Sequence, residues 1–249
     1  MRAKIAFVRN PSATNVVPLH HQKLISGFVE HMMSDYRPKP QFYNFSSLKG
    51  TSKVKNGFMR FLSSKITLVV SSPDNLFIEL MVQKIMGRDM VNIGKMELKP
   101  KDYTIIDMPD FDVRTRYVCI SPIIPVDPNQ NEKSAQDILD PYSHDFSDLL
   151  YNDLLDRLDR AGFTEDELYQ FAEFEVMPDK EYMNKLVDSQ KKFARYYKCN
   201  SGKTMVGYLF PFTLHAHVEV HKFIWDCGLG LLTKEGYGMV DIVRQEQSL

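Results

Sequence analysis

The 249-residue chain has only three cysteines, Cys119, Cys199 and Cys227, widely spaced and without a CxxC pair. That odd, scattered set disfavours both a disulfide framework and a zinc finger. No apolar run approaches the roughly 20 residues that span a bilayer. The charged start Met1-Arg2-Ala3-Lys4 leads into only a short apolar stretch, so a soluble, cytoplasmic chain without a cleaved leader and without a membrane partner is expected. Net charge is nearly absent: 31 Lys plus Arg against 32 Asp plus Glu give a formal charge of -1. A histone-like basic character is thereby excluded, and any nucleic-acid site must be regional. There is no low-complexity tract and no short-period repeat. What remains is ordinary globular material, 43% hydrophobic and 25% charged, in a length that suits one or two domains.

The order of elements suggests two. Ala3 to Arg9 reads as a strand stopped by Asn10-Pro11, and apolar residues recur at helical spacing from Pro18 to about Ser34. Gln41 to Ser47, Gly57 to Leu62 and Lys65 to Val70 read as strands. Ser72-Pro73-Asp74 opens a second helix that keeps its period to Gly87, and Val91 to Leu98 looks extended. This β-α-β-β-α-β order is that of a ferredoxin-like domain. Asp107 to Phe111 reads as a linker, giving domains of residues 1–111 and 112–249. In the second, Val113 to Ile120 is a strand, Asp137 to Gly162 an acidic amphipathic helix, Phe174 to Met177, Lys192 to Lys198 and Thr204 to Pro211 strands, Val218 to Asp226 a helix and Gly238 to Val243 a closing strand.

Charge is sorted along the chain. No acid occurs between Asp35 and Asp74, while Arg37, Lys39, Lys49, Lys53, Lys55, Arg60 and Lys65 are interleaved with Tyr36, Phe42, Tyr43, Phe45, Phe58 and Phe61. Such a segment can hold phosphates and stack bases, and equally can be a strand region with aromatics inside and lysines in solvent. A second basic group, Lys191, Lys192, Arg195, Lys198 and Lys203, lies beside Tyr196 and Tyr197. Near the end, Gly228-Leu229-Gly230 and Gly236-Tyr237-Gly238 write out as GxGxxxxxGxG. This is neither a Walker loop nor a dinucleotide fingerprint. Its glycines permit positive φ and close approach of bare backbone to another chain or a phosphate, and Lys234 adds a charge.

The loop GLGLLTKEGYG, the stretch Val17-Pro18-Leu19-His20-His21-Gln22 with Gly27 one helix further on, and Ser121-Pro122-Ile123 together resemble the CRISPR-associated endoribonucleases of the RAMP superfamily. The resemblance covers nearly the whole chain. It implies an α+β architecture of two tandem ferredoxin-like (RRM-like) domains with a central cleft, and the glycine loop close to RNA. It also implies cleavage of precursor CRISPR RNA within the repeat, without a metal or other cofactor. In that chemistry the ribose 2′-hydroxyl attacks the adjacent phosphate, leaving a 2′,3′-cyclic phosphate and a 5′-hydroxyl, with histidine, tyrosine and lysine serving as base, acid and cation. The carboxylates form no recognisable metal cluster, in keeping with it.

Members of the family commonly carry a catalytic histidine on or just after the first helix. On a helical wheel at about 100° per residue, His21 falls inside the apolar arc of Leu24, Ile25, Phe28 and Met32 and reads as structural. His20 and His31 fall within about 20° of each other at the edge of that arc, beside Gly27. His31, nearer the basic aromatic segment, is the first candidate for proton transfer and His20 the second. Tyr43 and Tyr36 are candidates for the other proton-handling role, and Lys53 or Lys49 for the cation. Lys49, Lys55, Arg60, Gly228, Gly230, Lys234, Gly236 and Gly238 are the expected RNA contacts. Ser46 stands where some members have histidine, which leaves open a catalytically weak or inactive repeat-RNA-binding subunit of a CRISPR effector. The chain is compatible with a monomer, a homodimer or docking on other effector subunits. His215, His217 and His221 cluster in sequence without a cysteine or carboxylate at metal-ligand spacing.

Overall fold

The computed structural model describes residues 1–243. They form two compact units: Met1–Met108 with Thr233–Gly236, and Pro109–Leu232 with the residues from Tyr237 onward. Among the described residues no helix is long and apolar enough to cross a membrane.

The first unit runs β1 (Arg2–Arg9), β2 (Val16–Pro18), α1 (Gln22–Met32), β3 (Asn44–Phe45), β4 (Ser52–Lys55), β5 (Phe58–Phe61), β6 (Lys65–Ser71), α2 (Asn75–Met86), β7 (Val91–Ile93) and β8 (Met96–Ile106). Its main sheet has the order β3-β6-β1-β8-β7, antiparallel throughout. Period-2 alternation buries Ala3, Ile5 and Phe7 of β1 with Ile66, Leu68 and Val70 of β6 in one core. Helical spacing brings Ile25, Phe28, Val29 and Met32 of α1 and Phe77, Ile78, Met81, Val82 and Ile85 of α2 into the same core.

Two expectations change here. The strand read over Gln41 to Ser47 is only Asn44–Phe45, because Pro38 and Pro40 remove donors just before it. The extended run from Val91 to Leu98 is a hairpin, β7 with β8, folded back at Gly94 with φ +61°. A second, three-stranded sheet, β2-β5-β4, joins the chain on either side of α1. Its β4–β5 turn is Asn56-Gly57, both at positive φ, the two-residue geometry that matches the twist of a hairpin.

The second unit runs β9 (Arg114–Cys119), α3 (His144–Arg160), α4 (Glu165–Gln170), β10 (Phe174–Pro178), α5 (Lys180–Asp188), β11 (Ala194–Lys198), β12 (Thr204–Tyr208), β13 (Phe212–Ala216), α6 (Val218–Cys227) and β14 (Val240–Ile242). Its four-stranded sheet has the order β10-β13-β9-β14. The acidic helix begins at His144 rather than Asp137, where Ser143 caps it by accepting from the Phe146 N–H. The apolar run from Thr204 does not stop at Pro211: it breaks there and resumes as β13. Helices α4 and α5 were hidden because α4 buries no side chain and α5 only Met183 and Leu186, so caps at Thr164 and Asp179 carry them.

Both units therefore trace β-α-β-β-α-β with one strand order, second-third-first-fourth, which is the ferredoxin-like arrangement twice over. In each, the link between the second and third strands carries an inserted hairpin, β4–β5 in one and β11–β12 in the other.

The start of α2 gives a direct test of this reading. One oxygen of Asp74 accepts from the Phe77 N–H at 3.1 Å and the other from the Tyr36 hydroxyl at 2.7 Å. Asp74→Ala is expected to cost about 1–2 kcal/mol, seen as a lower urea midpoint at unchanged slope.

Candidate nucleic-acid interface

His21 stands just before α1 and is buried. Its Nδ1 lies 3.2 Å from the carbonyl oxygens of both Pro18 and Leu19, and its Nε2 accepts from the Leu48 N–H at 3.0 Å. That partner set fits only the neutral ring with its proton on Nδ1. Burial pushes its pKa down to about 4, against the two carbonyls that favour the proton. Lys49 and His20 lie close enough to lower it further. The N-terminal end of α1 thus gathers His20, which is exposed, Lys49 and, through a hydrogen bond from Gln22 Nε2 to the Gly236 carbonyl at 3.3 Å, the loop Thr233–Gly236.

His31 lies at the opposite end of the same helix. His20 precedes the helix by two residues, and from Gln22, where α1 begins, to His31 the axis rises about 13 Å. His31 is exposed and lines a cleft of about 650 Å³ with Met32, Ser34, Asp35, Lys84, Gly87 and Arg88, between the C-terminal ends of α1 and α2. Lys84 pairs with Asp35 there, and Arg88 adds a second cation.

Tyr36 and Tyr43 meet the same ring, each with its centroid 5.3 Å from that of Phe77. The Tyr36 hydroxyl is committed to Asp74, whose carboxylate raises its pKa. Tyr43 is half-buried, and burial, followed by Glu30 and Glu235, pushes its pKa up to about 12. Ser46 is fully buried, its Oγ donating to the Ser47 carbonyl at 2.8 Å and accepting from the Val69 N–H at 3.0 Å.

The glycines of the C-terminal loop are buried and all four adopt positive φ, +80°, +79°, +86° and +74° at Gly228, Gly230, Gly236 and Gly238. Protein fills the space beside Gly230, Gly236 and Gly238. A Cβ on Gly236 would stand 2.1 Å from the Phe45 ring, and one on Gly238 2.0 Å from the Leu229 carbonyl oxygen. The close approach that these glycines permit is first of all an approach of the chain to itself, and within the loop it is Lys234 that is exposed. In the second unit, buried Arg157 donates to the Cys227 and Gly230 carbonyls at 2.7 and 3.1 Å, satisfying acceptors that the end of α6 leaves open.

Lys53, Lys55 and Arg60 lie on the β2-β5-β4 ribbon. Register pairs Lys53 with Arg60 and Lys55 with Phe58, so all four side chains share its outer face. The other face sends Val17, Met59 and Phe61 into the core. His215, His217 and His221 do not converge: His217 accepts from the Glu219 N–H, His221 is buried against the Tyr117 hydroxyl, and His215 faces Glu173. Among the described residues no three His, Cys, Asp or Glu side chains are grouped to hold a metal.

Sequence reasoning missed Lys84, in α2, and Arg88, just beyond it, which meet His31 only in three dimensions. It also passed over the Asn56-Gly57 signal, which flanked by SKVK and FMRF marks the ribbon.

Two outcomes follow from these contacts. Gly236→Ala, with φ +86° and the Phe45 ring in the way, is expected to lower the thermal midpoint by several degrees, whereas Gly27→Ala, whose Cβ meets open space, is expected to raise it slightly. The His21 ring binds its proton more weakly folded than unfolded, so its contribution to stability is complete above about pH 6.5 and is lost as pH falls from there to about 4, below which it changes no further. The loss amounts to about 3 kcal/mol, and urea titrations of the wild type and His21→Gln at stepped pH are expected to show that segment flattened in the variant.

Residues 106–242, more than half of the chain, match the family model described as CRISPR associated protein Cas6, C-terminal. A search of curated proteins returns no match. Several solved structures share the fold end to end. One named CRISPR associated protein Cas6 is 20% identical with a TM-score of 0.74, covering 98% of this chain and 99% of that one. A RAMP protein binding different RNA substrates is 16% identical with a TM-score of 0.75 over 98% of this chain and 100% of its own. The product of a Cas6-related gene from Pyrococcus furiosus is 18% identical with a TM-score of 0.76 over 99% of each. With the family match spanning most of the second unit and the duplicated ferredoxin-like fold shared along the whole length of these structures, the chain belongs to the Cas6 family of CRISPR-associated proteins.

Proposed function

We propose that the protein is a metal-independent endoribonuclease that binds precursor CRISPR RNA and cuts it within the repeat. The observation that carries this reading is the Cas6 family match over residues 106–242, and the sorting of charge supports it. Of the first 73 residues only Glu30 and Asp35 are acidic, against eleven Lys and Arg. That segment has a net charge of 11 − 2 = +9, and the remainder −1 − 9 = −10. The ferredoxin-like unit bearing the candidate residues is thus an electrostatic destination for a polyanion.

In the proposed reaction the 2′-hydroxyl gives its proton to a base as its oxygen bonds to the adjacent phosphorus. The bond to the 5′-oxygen breaks, and an acid returns a proton to that oxygen. Products are a 2′,3′-cyclic phosphate and a 5′-hydroxyl, and no water is consumed. What supports His31 as the proton-transfer group is its exposure in a cleft with two cations, Lys84 of α2 and Arg88 just beyond it; among the described residues Arg88 forms no ion pair and can carry the charge that grows on the phosphorane. His20 precedes the start of α1 and His31 lies near its end, with about 13 Å of helix between, so the two histidines are treated as alternatives and not as a pair. Lys53 and Lys55, outward on the ribbon, are assigned to phosphate contact, with Arg60, Lys49 and Lys234. The buried glycines act by shaping the loop that carries Lys234.

The test is incubation with the repeat RNA of its own locus in EDTA, followed by analysis of product ends. A single cut leaving a 2′,3′-cyclic phosphate is expected. His31→Ala is expected to slow cleavage by about 10²- to 10⁴-fold at nearly unchanged RNA affinity, with His20→Ala close to wild type. Loss of cleavage in His20→Ala alone would move the reaction to the other end of α1. Tight binding with no cut by the wild type would make the protein a repeat-RNA-holding subunit.

A further inference from the structure

The geometry points to the outer face of the β2-β5-β4 ribbon as a platform for single-stranded RNA, with Phe58 as the ring on which a base stacks and Lys53, Lys55 and Arg60 as its phosphate contacts. This rests on the RNA-binding reading above and adds to it a place, a ligand form and a residue, Phe58, with a role of its own.

Phe58 is 52% exposed although it sits within a strand. Folding does not need it there, since Met59 and Phe61, on the opposite face of the same strand, supply the ribbon's contact with the core. Its cross-strand partners are Lys55 on one side and Pro18 on the other, and Arg60 follows two residues along the strand. The ring is therefore a flat apolar surface rimmed by cations. Lys53 and Lys55 stand two residues apart on one face, about 6.7 Å, a separation that neighbouring phosphates of an extended strand also span. Among the described residues none of Lys53, Lys55 and Arg60 has an acidic partner, and no acid occurs anywhere in β2, β4 or β5 or in residues 36–73. An aromatic flanked by unneutralised cations on an open strand surface is how sequence-tolerant single-strand binding is built, because every base has a stacking face. A duplex hides those faces, so the platform selects unpaired nucleotides.

The fold repeats the device. At the same point of the second unit, the β11–β12 hairpin carries Tyr196, 53% exposed, with Lys198 on its face two residues on. An exposed aromatic beside a lysine on both inserted hairpins speaks against a chance surface residue.

The experiment uses the full chain and a short fluorescent oligouridine, beside the same locus's repeat RNA. Phe58→Ala is expected to weaken oligouridine binding by roughly 5- to 150-fold, the loss of one base stack, with Phe58→Trp restoring it. Lys55→Ala and Arg60→Ala are expected each to reduce the slope of log affinity on log salt by about 0.7. An oligouridine carrying 4-thiouridine is expected to cross-link to the peptide containing Phe58. Circular dichroism confirms folding of each variant. Phe58→Ala that binds as the wild type, with cross-links elsewhere, overturns the platform while leaving the proposed function intact if the repeat is still cut. A wild type that binds neither RNA overturns both. Ribbon variants that keep RNA but lose binding to vesicles of phosphatidylglycerol and phosphatidylcholine overturn it in favour of a membrane surface.

Discussion

One neutral imidazole ties together three segments that the candidate chemistry needs. Two carbonyls at the exit of β2 and one N–H beyond β3 converge on His21, at the start of α1. Without it the buried Leu48 N–H would lose its acceptor and two partly buried carbonyls a donor, the first at a cost comparable to a lost hydrogen bond. Through Pro18 the ring fixes the edge strand of the ribbon, through Leu48 it fixes Lys49, and through its position it fixes the first turn of the helix that carries His31 at its far end. The next residue, Gln22, extends the network to Ser47 and the Gly236 carbonyl. The neutrality of His21 is thus structural. A second proton would place a donor against the Leu48 N–H.

The glycine loop follows the same logic from the other side. Its φ values demand glycine, and the Phe45 ring and Leu229 carbonyl occupy the places where side chains would be. Sequence alone cannot distinguish glycine spared for a ligand from glycine spared for the protein's own chain, because both leave the same letter. Here the second applies, and what the loop offers outward is Lys234. The inserted hairpins show the complementary case, where an aromatic letter promises burial and the register delivers exposure. Phe58 and Phe61 differ by three positions, an odd number, and so lie on opposite faces of β5.

Elements with strong periods were legible: β1, α1, α2, β6 and α6 lie close to where apolar spacing put them, and the duplicated order followed. What escaped was held by forces that leave little periodic trace. Helix α4 rests on a capping box, α5 on two apolar contacts, and β13 follows a proline that only interrupts the sheet. For the candidate site, the helical wheel separated buried His21 from exposed His20 and His31. It placed His20 on a helix that instead begins two residues later, at Gln22, and it could not reveal that Lys84 and Arg88, more than fifty residues on, line the cleft beside His31.

Proton accounting narrows the roles that remain in the proposed reaction. The substrate starts with a neutral 2′-hydroxyl and the product ends with a neutral 5′-hydroxyl, so one protein group gains a proton and another loses one in each turnover. A phenol with its pKa pushed up to about 12 holds its proton throughout the neutral range. In the proposed reaction Tyr43 therefore suits the donor's role rather than the base's. Tyr36 is further constrained, because its hydroxyl already donates to Asp74. A histidine as residue type titrates near neutrality and is the group suited to accept the 2′-proton. In the proposed reaction His31 is open to solvent at the end of α1, so a proton accepted there reaches water without any relay through the core. Buried His21 has no such route, and its accepting nitrogen is already occupied by Leu48. What divides the histidine that holds the fold from the one proposed to handle protons is therefore access to water rather than residue type.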